Sequence, residues 1–144
     1  MRCIERKEGS MGNSSLSLRL ALILLCVIGP SITFSAEMKL KVDQMDFCAA
    51  VRERSPIGVA DSFPSDISAI YCFTRVAGAQ DTTAVVHRWF RGETRVVDVD
   101  LPVCSGLWRT WSRKRMLPGW QGQWHVDVVD PDGSVIASKR FFLR

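Results

Sequence analysis

The chain has 144 residues, 47% of them hydrophobic and 24% charged, with a formal net charge of +4. Beyond residues 1–36 about 108 residues remain, room for one two-layer core but not two. That stretch holds 15 Lys/Arg against 13 Asp/Glu, a net of +2, which sets aside a nucleic-acid partner, since such a partner calls for a strongly basic domain.

Residues 1–36 read as an export signal. Arg2, Arg6, Lys7 and Arg19 precede the apolar run from Leu20 to Gly29, Pro30 breaks it, and Ser31, Thr33, Ser35 and Ala36 follow. Basic, apolar and small residues in that order mark a secretory leader, with cleavage expected after Ser35. The run is short for a membrane span, which takes roughly 20 residues, so an uncleaved anchor is the alternative. The long basic segment makes Met11 a second possible start. Either reading carries the rest of the chain out of the cytoplasm, to the periplasm or beyond. Residues 37–45 then form a linker and 46–144 the domain.

Short β-rich runs recur along the domain with turn signals between them. Strands are predicted near Phe47–Arg52, Ala69–Val76, Thr83–Phe90, Thr94–Val103, Leu107–Arg115, Gln123–Val129 and Val135–Leu143. Ser55–Ser65, with Pro56, Gly58 and Pro64, reads as a long loop, and Asp130-Pro-Asp-Gly133 as a hairpin turn. Val97, Val99 and Leu101 alternate with Asp98 and Asp100, and Trp124, Val126 and Val128 with His125 and Asp127, the pattern of strands with one wet side. About seven such strands predict an all-β, immunoglobulin-like antiparallel sandwich, with a small barrel as the alternative.

Several blocks taken in order resemble a bacterial family known as domain of unknown function 2914. They are Phe47-Cys48 with Val51 and Arg54-Ser-Pro56, Ser62-Phe-Pro64, Tyr71-Cys-Phe-Thr74, His87-x-Trp89, Leu101-Pro-Val103, Trp108-Arg-Thr-Trp-Ser112 with Lys114, and Gly122-x-Trp124. The resemblance implies an all-β domain outside the cytoplasm and carries no activity, ligand or catalytic residue with it. Cys104 departs from the family's pattern, standing where a polar residue is expected after Leu-Pro-Val.

Four of the five tryptophans, Trp108, Trp111, Trp120 and Trp124, lie close together and are interleaved with Arg109, Arg113, Lys114 and Arg115. On a regular strand, residues three apart face opposite ways. Trp108, Thr110 and Ser112 therefore share one side, and Arg109, Trp111 and Arg113 the other. Trp108 and Trp124 are expected in the core, and Trp111 outside between two guanidiniums. The Trp-x-x-Trp-Ser spacing is also similar to the Trp/Arg ladder of cytokine-receptor sandwich domains. Such a ladder either stiffens the outer sheet face or offers an aromatic, cationic platform to a sugar ring, an anionic glycan or an acidic protein patch. Arg109, Trp111 and Arg113 are the expected contact residues, with Trp120 at the next turn as an outlying one.

Cys48, Cys72 and Cys104 follow the leader. In an oxidising compartment Cys48 and Cys72 are expected to bridge, stabilising by about 3 kcal/mol. Cys104 is left as a buried inert thiol or a cross-link to a second chain. No zinc spacing and no cofactor motif is present, and the Asp130 turn lacks the central Gly of a calcium loop. His87 shares a face with Trp89 and reads as a hydrogen-bonded structural residue. No nucleophile elbow or phosphate loop occurs, so no enzyme is expected. A Cys104/His87 enzyme is the remote alternative.

The expected function is a non-catalytic binding or interaction module of the bacterial cell envelope, with a glycan or protein partner and membrane contact only through an uncleaved leader. A structural domain within a membrane-associated assembly is the alternative.

Overall fold

A computed structural model describes Cys3 and residues 39–144. The expected leader therefore lies outside the described residues, apart from Cys3. Nine strands run in chain order: β1 (Lys41–Arg52), β2 (Ser55–Val59), β3 (Ser62–Phe63), β4 (Ala69–Ala77), β5 (Thr83–Arg91), β6 (Thr94–Val103), β7 (Leu107–Arg115), β8 (Gly122–Val129) and β9 (Val135–Leu143). They form two sheets, ordered β2-β1-β4-β7 and β3-β9-β8-β5-β6. All pairings are antiparallel except β3 with β9. Without the short β2 and β3, three strands (β1, β4, β7) face four (β9, β8, β5, β6), an immunoglobulin-like sandwich whose fourth strand sits beside the third. The sheets do not close, which removes the barrel alternative.

Seven strands lie where the β-rich runs and turn signals put them. The expected loop at Ser55–Ser65 instead contains β2 and β3, and β1 begins at Lys41, inside the expected linker. A two-residue hairpin joins β1 to β2, and both of its residues are left-handed: Glu53 at φ 48° and Arg54 at φ 58°. Hairpins of this kind are normally signalled by Asn-Gly or Gly-Gly, and neither is present. β2 has Pro56 and Gly58, which are tolerated because it pairs on one side only. Gly78 follows β4 at φ 92°, where an added Cβ would stand 2.8 Å from the Lys39 carbonyl oxygen.

The core lies between the sheets. Phe47, Trp89, Trp124 and Phe141 are buried together, with ring centroids of Phe47 and Phe141 4.6 Å apart and Trp124 stacked on Phe141 at 6.0 Å. A second cluster of Val76, Val85, Leu101, Val103 and Val128 fills the other end, with half-buried Trp108 against it. Trp108 is thus on the inner side, as strand parity requires, but it flanks the core instead of plugging it.

The cysteines differ from expectation. Phe47 stands opposite Cys72, and Cys48 opposite Tyr71. Opposed residues share a face and successive residues alternate, so Cys48 and Cys72 point to opposite sides of their sheet and do not bridge. Both are buried free thiols, and desolvation raises the pKa of each. Cys104, expected to be free, is paired with Cys3, their Cα atoms 5.9 Å apart.

Candidate functional site

Strand register sorts the polar and aromatic side chains into an interior network and two outer faces. The interior network centres on His87 of β5, which is fully buried between the sheets. Its Nδ1 is 2.8 Å from Ser112 Oγ of β7 and its Nε2 is 3.1 Å from Thr74 Oγ1 of β4. Trp89 Nε1 donates to Ser112 Oγ at 3.0 Å, and Thr74 Oγ1 donates to the Thr110 carbonyl at 3.3 Å. These bonds assign the tautomer. Thr74 has its proton on Thr110, so it accepts from a protonated His87 Nε2, and Ser112 donates to an unprotonated Nδ1. Every polar atom of the ring is satisfied with the imidazole neutral, and desolvation lowers the His87 pKa to about 3. This is the hydrogen-bonded structural histidine expected. The network ties β5 of one sheet to β4 and the edge strand β7 of the other. Cys104 and His87 are not brought together, since the histidine's ring nitrogens are taken and the Cys104 sulfur is paired with Cys3.

The outer face of the five-stranded sheet carries one charge cluster, centred on Asp98. Arg88 Nε lies 3.3 Å from Asp98, and Arg95 pairs with the same carboxylate. Burial works to raise the Asp98 pKa, but hydrogen bonds from Arg95 and Arg88 outweigh it and hold the carboxyl below its ordinary value. Ser138 Oγ donates to Asp127 at 2.6 Å, and His125 stacks flat on Phe90 with centroids 4.4 Å apart. A shallow depression is lined by Gly92, Glu93, Gln123, His125 and Arg140. At the end of this sheet Asp130 Oδ1 accepts the backbone N–H groups of Asp132 and Ser134, so the Asp130–Gly133 segment is a hairpin turn held by its own side chain.

The outer face of the four-stranded sheet is different. Register sets Val59, Cys48, Tyr71 and Arg113 in one row across it, Asp46, Phe73 and Trp111 in the next, and Gln44, Arg75 and Arg109 in a third. Its centre is aromatic and apolar. Phe73 is buried on this outward side because the Trp111 ring lies over it, nearly parallel at 13° with centroids 6.5 Å apart. Arg113 reaches back over Tyr71, 6.0 Å from the ring centroid. Trp111 is therefore outward and half-buried, as parity predicts. Its stacking partner is Phe73 on the neighbouring strand rather than the flanking arginines, because directly opposed side chains are closer than those two apart on one strand.

Arg109, Arg113 and Arg115 are exposed along the β7 edge. Among the described residues, no acidic side chain forms a salt bridge with these three or with Arg75. Arg75 Nε is enclosed without an acceptor. The one carboxylate in the rows above, Asp46, is engaged by Lys139 Nζ at 3.3 Å and by Gln44 at 2.7 Å.

Trp120 does not join this face. It lies in the β7–β8 connection, half-buried against the core, 5.4 Å from the Trp124 ring, and its carbonyl accepts the Trp124 indole N–H at 3.0 Å. Lys114 Nζ sits 4.8 Å above its ring, and burial lowers the Lys114 pKa. Sequence reasoning also missed Tyr71, Phe73 and Arg75. Nothing in the local pattern of β4, a nearly continuous apolar run, tells its two faces apart.

The fold and its surfaces define a β-sandwich domain with an aromatic, cationic outer face on its four-stranded sheet. Residues 82–142 match the model of the family described as protein of unknown function (DUF2914), and the match supports the chain's membership of that family. The matched stretch takes in most of β5 through β9, including Arg109, Trp111 and Arg113. No curated protein matches the chain.

Proposed function

We propose that this domain is an exported, non-catalytic binding module of the bacterial cell envelope, and that it contacts its partner through the outer face of the β2-β1-β4-β7 sheet. The observation that carries the reading is the Phe73–Trp111 stack framed by Arg75, Arg109 and Arg113, guanidiniums without carboxylate partners among the described residues. On the opposite face two arginines, Arg88 and Arg95, share one carboxylate, Asp98, whereas Arg75, Arg109 and Arg113 have none among the described residues. Aromatic rings beside arginines are the composition of contact surfaces. Export rests on the basic, apolar and small-residue order of residues 1–36.

The test is Trp111→Ala in the full chain. The reading expects retention on isolated cell envelopes to fall while the melting temperature stays within a few degrees of wild type. Loss of folding in this variant together with undiminished retention of Arg109→Gln/Arg113→Gln would make the ring a structural clasp only.

A further inference from the structure

We infer that β7 is a strand-addition site for an extended acidic peptide. The inference rests on the contact face proposed above and specifies its partner. β7 ends its sheet and is paired only with β4. Two bonds bracket the pair: Gly78 N–H to Gly106 O at 2.9 Å, and Met116 N–H to Ser68 O at 3.0 Å. The register between them runs without a shift from Leu107 opposite Ala77 to Arg115 opposite Ala69. In an antiparallel pair, residues that exchange hydrogen bonds alternate with residues that do not. With 106 and 116 bonded inward, the even-numbered residues of β7 use their N–H and C=O groups on β4. The odd-numbered residues turn theirs to the open edge.

Local side chains close the two ends of that edge. Ser105 Oγ donates to the Leu107 carbonyl at 2.9 Å, and Lys114 Nζ to the Arg115 carbonyl at 3.3 Å. Between them, no backbone bond to another element joins Arg109, Trp111 or Arg113 among the described residues. These same three residues have their side chains on the outer face, the ring at the centre and a guanidinium on either side.

An incoming antiparallel strand would bond in register with Arg113, Trp111 and Arg109. Its side chains at those positions would emerge on the outer face, repeating about every 6.8 Å, the spacing of the three receptor side chains. The pattern that fits is acidic, apolar, acidic at alternate positions: carboxylates to the two guanidiniums and an apolar side chain against Trp111. Cations on an edge strand also repel a second copy of the same edge, so the charges that discourage self-pairing select an acidic partner.

The test uses the full chain and a fluorescently labelled synthetic peptide with a Glu-Thr-Val-Thr-Glu centre, read by anisotropy. The peptide is expected to bind, more weakly as salt rises, and Arg109→Gln/Arg113→Gln is expected to weaken it roughly tenfold or more. N-methylation of the Glu and Val amides, which would face β7, is expected to weaken it by a similar factor, while N-methylation of the Thr amides, which would face away, leaves it unchanged. Equal binding of the two methylated peptides overturns strand addition. So does absence of peptide binding while envelope retention still depends on Trp111, a result that leaves the contact face standing. If retention also ignores Trp111, both readings fall.

Discussion

Acidification should destabilise the domain through His87, and the size of the effect follows from its burial. In the folded state its pKa is about 3, against an ordinary value of 6.5. The cause is desolvation, and the network adds to it, because a proton on Nδ1 would displace the Ser112 hydrogen that now points there. A histidine with a depressed folded pKa takes up its proton in the unfolded chain first. Its stabilising contribution is complete above the unfolded value and is lost progressively as pH falls from about 6.5 towards 3. Between pH 7 and pH 5 the loss is about 2 kcal/mol, at 1.36 kcal/mol for each pH unit below the unfolded pKa. For a domain of this size that lowers the melting temperature by roughly 8 °C. Thermal unfolding at pH 5, 6 and 7 should show this slope in the wild type. In His87→Asn, less stable at every pH because Ser112 and Thr74 lose their partner, the slope should vanish. A wild-type melting temperature flat across the window, or an equal slope in both proteins, would refute the buried neutral imidazole.

Three further outcomes are expected. Ser112→Ala leaves both Trp89 Nε1 and His87 Nδ1 without their partner and should cost about 2–4 kcal/mol in denaturant unfolding, while a core swap such as Val128→Ile should cost less. Arg54→Gly removes a left-handed non-glycine residue at φ 58° and should stabilise by up to about 1 kcal/mol, whereas Gly78→Ala should destabilise by more than that, both read from chemical denaturation. Thiol labelling of the native protein should leave Cys48 and Cys72 unmodified. In the chain that retains residue 3, Cys104 should be unreactive and Cys3→Ser should make it reactive, whereas a form cleaved after Ser35 has no Cys3 and should label at Cys104; labelling of Cys104 in the unreduced, uncleaved chain would show that it has no disulfide partner.

Much of the fold could be read from alternation, since a half-buried strand declares its inner face at every second residue. β6 and β8 do so with valines against aspartates, and β7 does so with Thr110 and Ser112 against Arg109, Trp111 and Arg113. β2 and β3 could not be read, because Pro56, Gly58 and Pro64 are loop signals locally and become strand only through pairing with β1 and β9. The Cys48–Cys72 expectation failed for a related reason. A compartment argument says that cysteines bridge, but only the register says which way each one points. The site was half legible. β7 shows its contact face in its own parity, while Phe73, Tyr71 and Arg75 lie on a central strand buried on both sides, where alternation carries no signal. Trp120 was drawn to the face by proximity in sequence, although a turn intervenes and carries it to the end of the core.

Reversing charge on one sheet face at a time tests the central claim most directly. Arg109→Glu/Arg113→Glu alters the aromatic face and Arg140→Glu the opposite sheet, all at exposed positions. In co-sedimentation with isolated cell envelopes, the first variant should lose retention and the second should behave as wild type, with the melting temperatures of both unchanged. Equal retention of the two variants would contradict the assignment of the β2-β1-β4-β7 face as the contact surface.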